Sequence, residues 1–315
     1  MAASAEHLDA PPRRRLALVM NAQAGSLLGQ PDQAGALESQ LRQVASELHV
    51  VPAEAGSLPE RVDQARASGA DCVVVAGGDG TIACAAQALA GTGISLALIP
   101  GGTMNLLARD LRIDPADRQG AVRLLADGTE RAIDVAELSA EGEPPMLFLC
   151  ASMLGTPARL SRHREAGRQM GNGVLGWGLF GWAALRALAR NRSLRLTLRC
   201  NGRVLKRRTP SLTITVNPLD DAAGRLFGRT CLDGGELALY LVPRSSIFAQ
   251  AWLLLRTAIT GNLRRPEIEV IRTRALEVEA RGAALHVLID GELRLLRPPL
   301  RYQVRPGALR VIAPA

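Results

Sequence analysis

Two hydrophobic runs constrain this chain more than anything else in it. Cys72-Val-Val-Val-Ala76 and Ser95-Leu-Ala-Leu-Ile-Pro100 show no alternation of polar and apolar residues, and each runs straight into a glycine turn. A strand with one wet face needs a polar residue at every second position. Runs like these therefore belong to strands covered on both sides, the condition of a parallel sheet with helices on both faces. Leu16–Met20 reads as a third such strand and His49–Val51 as a short fourth, with helical patterns to about Glu47, over Pro59–Ser68 and over Thr81–Ala90. The expectation is a flexible tail over residues 1–14 and a doubly wound α/β domain over 15–132. Beyond Ile133-Asp134-Val135 the pattern changes to alternation, as in Leu194, Leu196 and Leu198 against Arg195, Thr197 and Arg199. Further strand candidates at Ser211–Val216, Glu236–Val242, Glu267–Ile271, Ala275–Ala280, Leu285–Asp290 and Leu309–Ile312 have few helices between them. That predicts an antiparallel β-sandwich over 133–304, with 305–315 a candidate to return to the first domain.

The turn after the strand at Cys72 is Gly77-Gly78-Asp79-Gly80-Thr81, and the turn one strand later is Pro100-Gly101-Gly102-Thr103-Met104-Asn105. Glycine lets a backbone approach phosphate closely, and the helix that follows offers free N–H groups and a partial positive charge. Asn21 and Gly25 follow the first strand, so three strand ends can converge on one nucleotide. A P-loop or protein-kinase site requires a lysine, and Lys206 is the only lysine among 38 basic residues, far from either turn. Gly176-Trp-Gly-Leu-Phe-Gly181 also fits a dinucleotide fingerprint, but it follows no apolar strand and lacks a downstream acidic residue. As a loop residue at a strand end, Asp79 is expected to add little to either core.

These motifs, in this order and spacing, resemble the diacylglycerol kinase catalytic-domain superfamily of lipid kinases, which includes sphingosine and ceramide kinases. Asn21–Gly25 stands as a degraded first motif, with Ala22 and Ala24 in place of proline and serine. Gly77–Thr81 matches the signature turn, Pro100–Asn105 the second turn, Asp134 the interdomain hinge strand, and Asp290-Gly291-Glu292 the family's Asp-Gly-Glu. The resemblance implies an ATP- and magnesium-dependent kinase that acts on a hydroxyl of a membrane lipid, diacylglycerol-like. The nucleotide would contact Asn21, Gly25, Gly77, Gly78, Asp79, Gly80, Thr81, Gly102, Thr103 and Asn105. It also implies a structural magnesium near Asp233 and Glu236, and Glu292 as proton acceptor with Asp290 as its partner. From the residues alone, Asp290 and Glu292 two apart in an extended segment would put two carboxylates on one side, able to take the hydroxyl proton or hold magnesium. Alternatives are an NAD kinase-type small-molecule kinase, whose Thr-Gly-Ser-Thr-Ala-Tyr-like segment is missing here, and a catalytically weak nucleotide- or lipid-binding regulator.

The formal charge of +8 is local: ten positive charges lie between Arg168 and Arg208 in a stretch without an acidic residue, next to Trp177, Phe180 and Trp182. Arginine beside aromatic residues suits an anionic membrane surface. A nucleic-acid partner is not expected, because the basic strands carry no stacking aromatics. Five scattered cysteines and the absence of a secretory signal point to a cytoplasmic protein, peripheral at the inner membrane face. Oligomeric state is not legible.

Overall fold

The computed structural model describes residues 14–21, 31–158, 193–220, 228–242, 268–280, 282 and 284–315. The chain divides into two compact units, residues 1–131 with 310–315 and residues 132–309. Gly25, Trp177, Phe180, Trp182 and the arginines at 168, 186, 190 and 192 lie outside the described residues.

The first unit contains β1 (Arg15–Met20), α1 (Pro31–Val44), β2 (Glu47–Val50), α2 (Leu58–Ala67), β3 (Cys72–Gly77), α3 (Asp79–Leu89), β4 (Ser95–Pro100), α4 (Leu106–Asp110) and α5 (Arg118–Asp127). Its strands are parallel in the order β2-β1-β3-β4, and Arg310 and Val311 pair in parallel beside β4. Every residue of β3 and β4 is buried, which is what their unalternating sequences require. Helix α1 packs Leu37 and Leu41 inward and stops at Val44, earlier than expected, because the Ser46 N–H bonds the Arg14 carbonyl and opens the pairing of β2 with β1. Helix α2 begins where the Glu60 side chain accepts the Ser57 N–H at 2.7 Å, satisfying a first-turn donor. From β1 the chain moves out to β2 and then returns past it to β3. The crossovers thus diverge at β1 and β3, and a crevice opens at the carboxyl ends of those two strands.

The second unit contains β5 (Thr129–Ser139, entering from the first unit), β6 (Met146–Phe148), β7 (Ala151–Gly155), β8 (Leu194–Cys200), β9 (Arg203–Thr209), β10 (Ser211–Val216), β11 (Leu237–Leu241), β12 (Glu269–Thr273), β13 (Ala275–Ala280), β14 (Leu285–Ile289), β15 (Glu292–Leu296) and most of β16 (Leu300–Ala313). One sheet runs β16-β13-β8-β9 and the other β12-β11-β10-β7-β14-β15, with antiparallel neighbours throughout. Their inner faces share one core that includes Phe148, Leu196, Leu198, Ile214, Leu239, Val278, Val287 and Tyr302. The Phe148 and Tyr302 rings meet edge to face at 6.1 Å, and the Tyr302 hydroxyl lies 3.1 Å from that of Ser152. A parallel α/β domain followed by an antiparallel β domain is the architecture expected from the sequence.

Candidate active site

The two glycine turns of the first unit are built as one piece, and each residue of the first turn has its own task. A Cβ on Gly77 would fall 2.6 Å from Thr81 Oγ1, so that glycine makes room for the threonine beneath it. Gly78 and Gly102 touch backbone to backbone: a Cβ on Gly102 would lie 2.7 Å from the Gly78 Cα. The Gly101 N–H bonds the Gly77 carbonyl at 2.9 Å. Asp79 gives one carboxylate oxygen to the Asn105 N–H at 2.9 Å and the other to the Leu106 N–H at 2.6 Å, capping the start of α4. Asn105, buried and in the left-handed region at φ 47°, closes its own turn by accepting the Gly102 N–H and donating to the Gly102 carbonyl. Its neighbour Thr103 is exposed.

Asn21, at the end of β1, donates its amide to Thr81 Oγ1 at 3.0 Å and so ties a third strand end to the first turn of α3. Gly80 has no atom within 4 Å of where a Cβ would stand, and the cap of α3 is Gly78, which has no side chain to offer the first-turn N–H groups. The result is an open, donor-rich edge at the crevice between β1 and β3, suited to phosphate oxygens. The small contribution expected of Asp79 is corrected: its carboxylate adds two bonds that join the turns, beside the backbone bond from Gly101 to Gly77.

In the second unit two more motif aspartates do the same kind of work. Asp134 is buried on β5, and its carboxylate accepts from Asn217 Nδ2 at 3.0 Å, the Gly235 N–H at 2.6 Å and the Gly307 N–H at 2.9 Å, gathering three loops. Asp290 accepts three consecutive backbone N–H groups, Leu149 at 2.6 Å and Cys150 and Ala151 at 2.9 Å. Burial pushes its carboxyl above the ordinary value, while those three donors and the Arg229 guanidinium pull the other way.

The expected geometry of Asp290 and Glu292 is corrected. Ile289 pairs with Glu292 across a two-residue hairpin, with φ 44° at Asp290 and 93° at Gly291, the positive pair that favours Asp-Gly in such turns. The chain reverses between the two carboxylates instead of extending. Asp290 turns to the backbone, and Glu292 stays exposed with an ion pair to Arg294 at 2.8 Å.

Asp233 is exposed and Glu236 pairs with Arg272 at 3.3 Å. Among the described residues no group of three or more His, Cys, Asp or Glu is arranged to hold a metal ion. Sequence reasoning missed Asn217 altogether. Its left-handed backbone at φ 65° and its bond to Asp134 pair it with a residue 83 positions away, which no local pattern announces.

The basic stretch is only partly free. Arg199 pairs with Glu277 at 3.4 Å and Glu279 at 3.2 Å, and Arg207 forks onto Glu269 at 2.7 and 2.8 Å, drawing its carboxyl below the usual range. Arg195 and Arg208 sit directly opposite one another on β8 and β9, beside Lys206 and Thr197, around a groove of about 550 Å³. None of these three cations has a carboxylate partner among the described residues. Among the described residues, too, no helix is long and apolar enough to cross a membrane.

Comparison with known proteins accounts for both units. Residues 15–138 match the diacylglycerol kinase catalytic domain, and residues 154–313 match the YegS C-terminal NAD kinase beta sandwich-like domain. A Pseudomonas aeruginosa PAO1 protein named "Probable lipid kinase YegS-like" is 31% identical over 280 residues, covering 87% of each chain. A Mycobacterium tuberculosis H37Rv protein named "Diacylglycerol kinase" is 25% identical over 280 residues, covering 85% of this chain and 84% of its own. The fold is shared with a crystal structure of a diacylglycerol kinase from Bacillus anthracis str. Sterne, at TM-score 0.66 and 19% identity over 95% of this chain and 96% of that one. With the paired glycine turns on a parallel sheet and the antiparallel domain after them, the chain belongs to the YegS-like lipid kinase family.

Proposed function

We propose that this lipid kinase transfers the γ-phosphoryl group of ATP, with magnesium, to the hydroxyl of a diacylglycerol-like lipid. The observation that carries the reading is the joined pair of glycine turns at the carboxyl edge of the parallel sheet. There Gly80 and Thr103 are exposed, and the first-turn N–H donors of α3 have no capping side chain. In this reading those donors hold the phosphates, Asn21 and Thr81 keep the edge of β1 in place, and Asp79 fixes the distance between the turns. Phosphoryl transfer depends on positioning and charge stabilisation more than on covalent chemistry, so rigidity in this cradle is what the protein supplies. Magnesium bound with a nucleotide takes most of its ligands from phosphate and water and neutralises charge there. One or two protein carboxylates would be enough for it.

The acceptor hydroxyl must lose a proton as its oxygen attacks phosphorus. Glu292 is the exposed motif carboxylate, with one oxygen paired to Arg294 and the other available to take it, whereas Asp290 is spent on the backbone of residues 149–151 and holds the hairpin from which Glu292 projects. Arg195, Lys206 and Arg208, which have no carboxylate partner among the described residues, are the described part of a surface for anionic headgroups, each worth about 1 kcal/mol near such a surface.

The test is mass spectrometry of products after the purified protein, ATP and magnesium are mixed with micelles carrying diacylglycerol, monoacylglycerol, ceramide or sphingosine. A phosphorylated diacylglycerol in excess over the others is expected. Phosphorylation of a sphingoid base alone would replace the acceptor, and no phosphorylated lipid at all would overturn the reading.

A further inference from the structure

The phosphate cradle proposed above has no cation of its own. Neither glycine turn contains lysine or arginine, and Lys206, the chain's only lysine, belongs to the second unit. Backbone N–H groups can orient phosphate oxygens, but a polyphosphate also needs positive charge that stays put.

One arginine at the same edge of the sheet is in an unusual state. Arg61 lies on the inner face of α2 with Val62 and Ala65 and is only 7% exposed. Its side chain makes a single hydrogen bond among the described residues, Nη1 to the Met20 carbonyl at 2.7 Å, and its Nε is buried with no partner. No carboxylate answers its charge among the described residues. The acids beside it on α2 are occupied, Glu60 by Ser57 and Asp63 by Arg66, and residues 22–30, which follow Asn21, include no acidic residue. A buried, uncompensated charge is costly to keep, and replacing it by an apolar side chain of similar volume is the stabilising change.

Its address explains why it is kept. Met20 is the last residue of β1 and pairs in register with Ala76, immediately before Gly77 and Gly78. The next residue is Asn21, whose amide reaches Thr81 in the signature turn. The guanidinium is therefore anchored at the carboxyl end of β1, the strand that with β3 flanks the crevice where the strand order reverses. Arginine is suited to such a post: always charged, weakly hydrated, and able to give several N–H bonds to phosphate from one plane.

We propose that Arg61 is a phosphate-binding residue that supplies the missing positive charge to the nucleotide's phosphates. The inference rests on the nucleotide reading of this site. The competing role is a plug, in which Arg61 only satisfies the Met20 carbonyl.

The experiment compares the full chain with its Arg61→Met, Arg61→Gln and Arg61→Lys variants by thermal melting without ligand and by calorimetric titration with magnesium ATP, inorganic tripolyphosphate and adenosine. Arg61→Met is expected to melt no lower than wild type, and to bind ATP and tripolyphosphate about tenfold more weakly or worse, the loss expected for a charge-assisted contact. Adenosine binding stays unchanged and Arg61→Lys falls between. Should Arg61→Met not fold, Arg61→Gln and Arg61→Lys carry the same comparison. Lower melting with unchanged ATP and tripolyphosphate affinity makes Arg61 a plug and overturns the proposal. If wild type binds tripolyphosphate but not ATP and the binding depends on Arg61, the nucleotide reading fails while Arg61 stands as an anion site. If wild type binds neither, the proposal fails.

Discussion

Replacing Asp79 by alanine removes the acceptor for two backbone N–H groups, Asn105 at 2.9 Å and Leu106 at 2.6 Å, at the start of α4. Hydrogen bonds to a charged acceptor contribute about 1.5–3 kcal/mol each. The site is partly open to water, so the low end applies and the pair amounts to about 3 kcal/mol. For a domain of this size about 1 kcal/mol moves the melting midpoint by about 4 °C, so Asp79→Ala should lower the transition of the first unit by about 12 °C. Asp79→Asn keeps one accepting oxygen and should lose about half as much. Gly80→Ala, in the same turn but with nothing within 4 Å of its Cβ, should melt no lower than wild type, because alanine is the better helix former. Melting followed by circular dichroism, with ATP affinity read in parallel, gives the comparison. If Asp79→Ala melts within about 2 °C of wild type while ATP affinity collapses, the carboxylate serves the ligand directly and the clamp argument is wrong.

Gly77→Ala drives a Cβ to 2.6 Å from Thr81 Oγ1 and should cost stability and nucleotide affinity together; a variant that melts and binds ATP like wild type would show that the turn has room for the methyl group. Asp290→Ala leaves three backbone donors at residues 149–151 without their acceptor and should destabilise the second unit by about 4–5 kcal/mol in urea titrations; an unchanged midpoint would show that the hairpin holds without it. Arg195→Glu with Arg208→Glu should weaken binding to vesicles containing anionic lipid and leave neutral vesicles alone, with the difference shrinking as salt rises; equal binding of both proteins to anionic vesicles removes this face from membrane contact.

The parts of the molecule legible in the sequence are those where a local pattern has one physical solution. The runs Cys72–Ala76 and Ser95–Pro100 could only be covered strands, and β4 spans Ser95–Pro100 as read. Strand β9 was hidden because Arg203–Thr209, an edge strand, is mostly exposed and spells Arg-Val-Leu-Lys-Arg-Arg-Thr, with no apolar face to betray it. Strand β15 was hidden by its two-residue turn: an Asp-Gly hairpin and an extended Asp-Gly-Glu look alike until the pairing of Ile289 with Glu292 is known. Motif positions were visible, but what the aspartates bind was not. Asp290 reaches backbone about 140 residues away, and Asp134 reaches Asn217, Gly235 and Gly307. Arg61 escaped because a charged residue on a helix is ordinarily read as solvated, and only packing shows it turned inward.

The central claim is that Glu292, free of the backbone, takes the proton of a lipid hydroxyl as that hydroxyl attacks ATP. The most direct measurement is single-turnover transfer of label from γ-labelled ATP to diacylglycerol in mixed micelles, wild type against Glu292→Gln, at saturating ATP and magnesium. The account predicts labelled phosphatidic acid from wild type and a rate about 10²–10⁴-fold lower in the variant, with melting point and ATP affinity unchanged. Equal rates in the two proteins would contradict it.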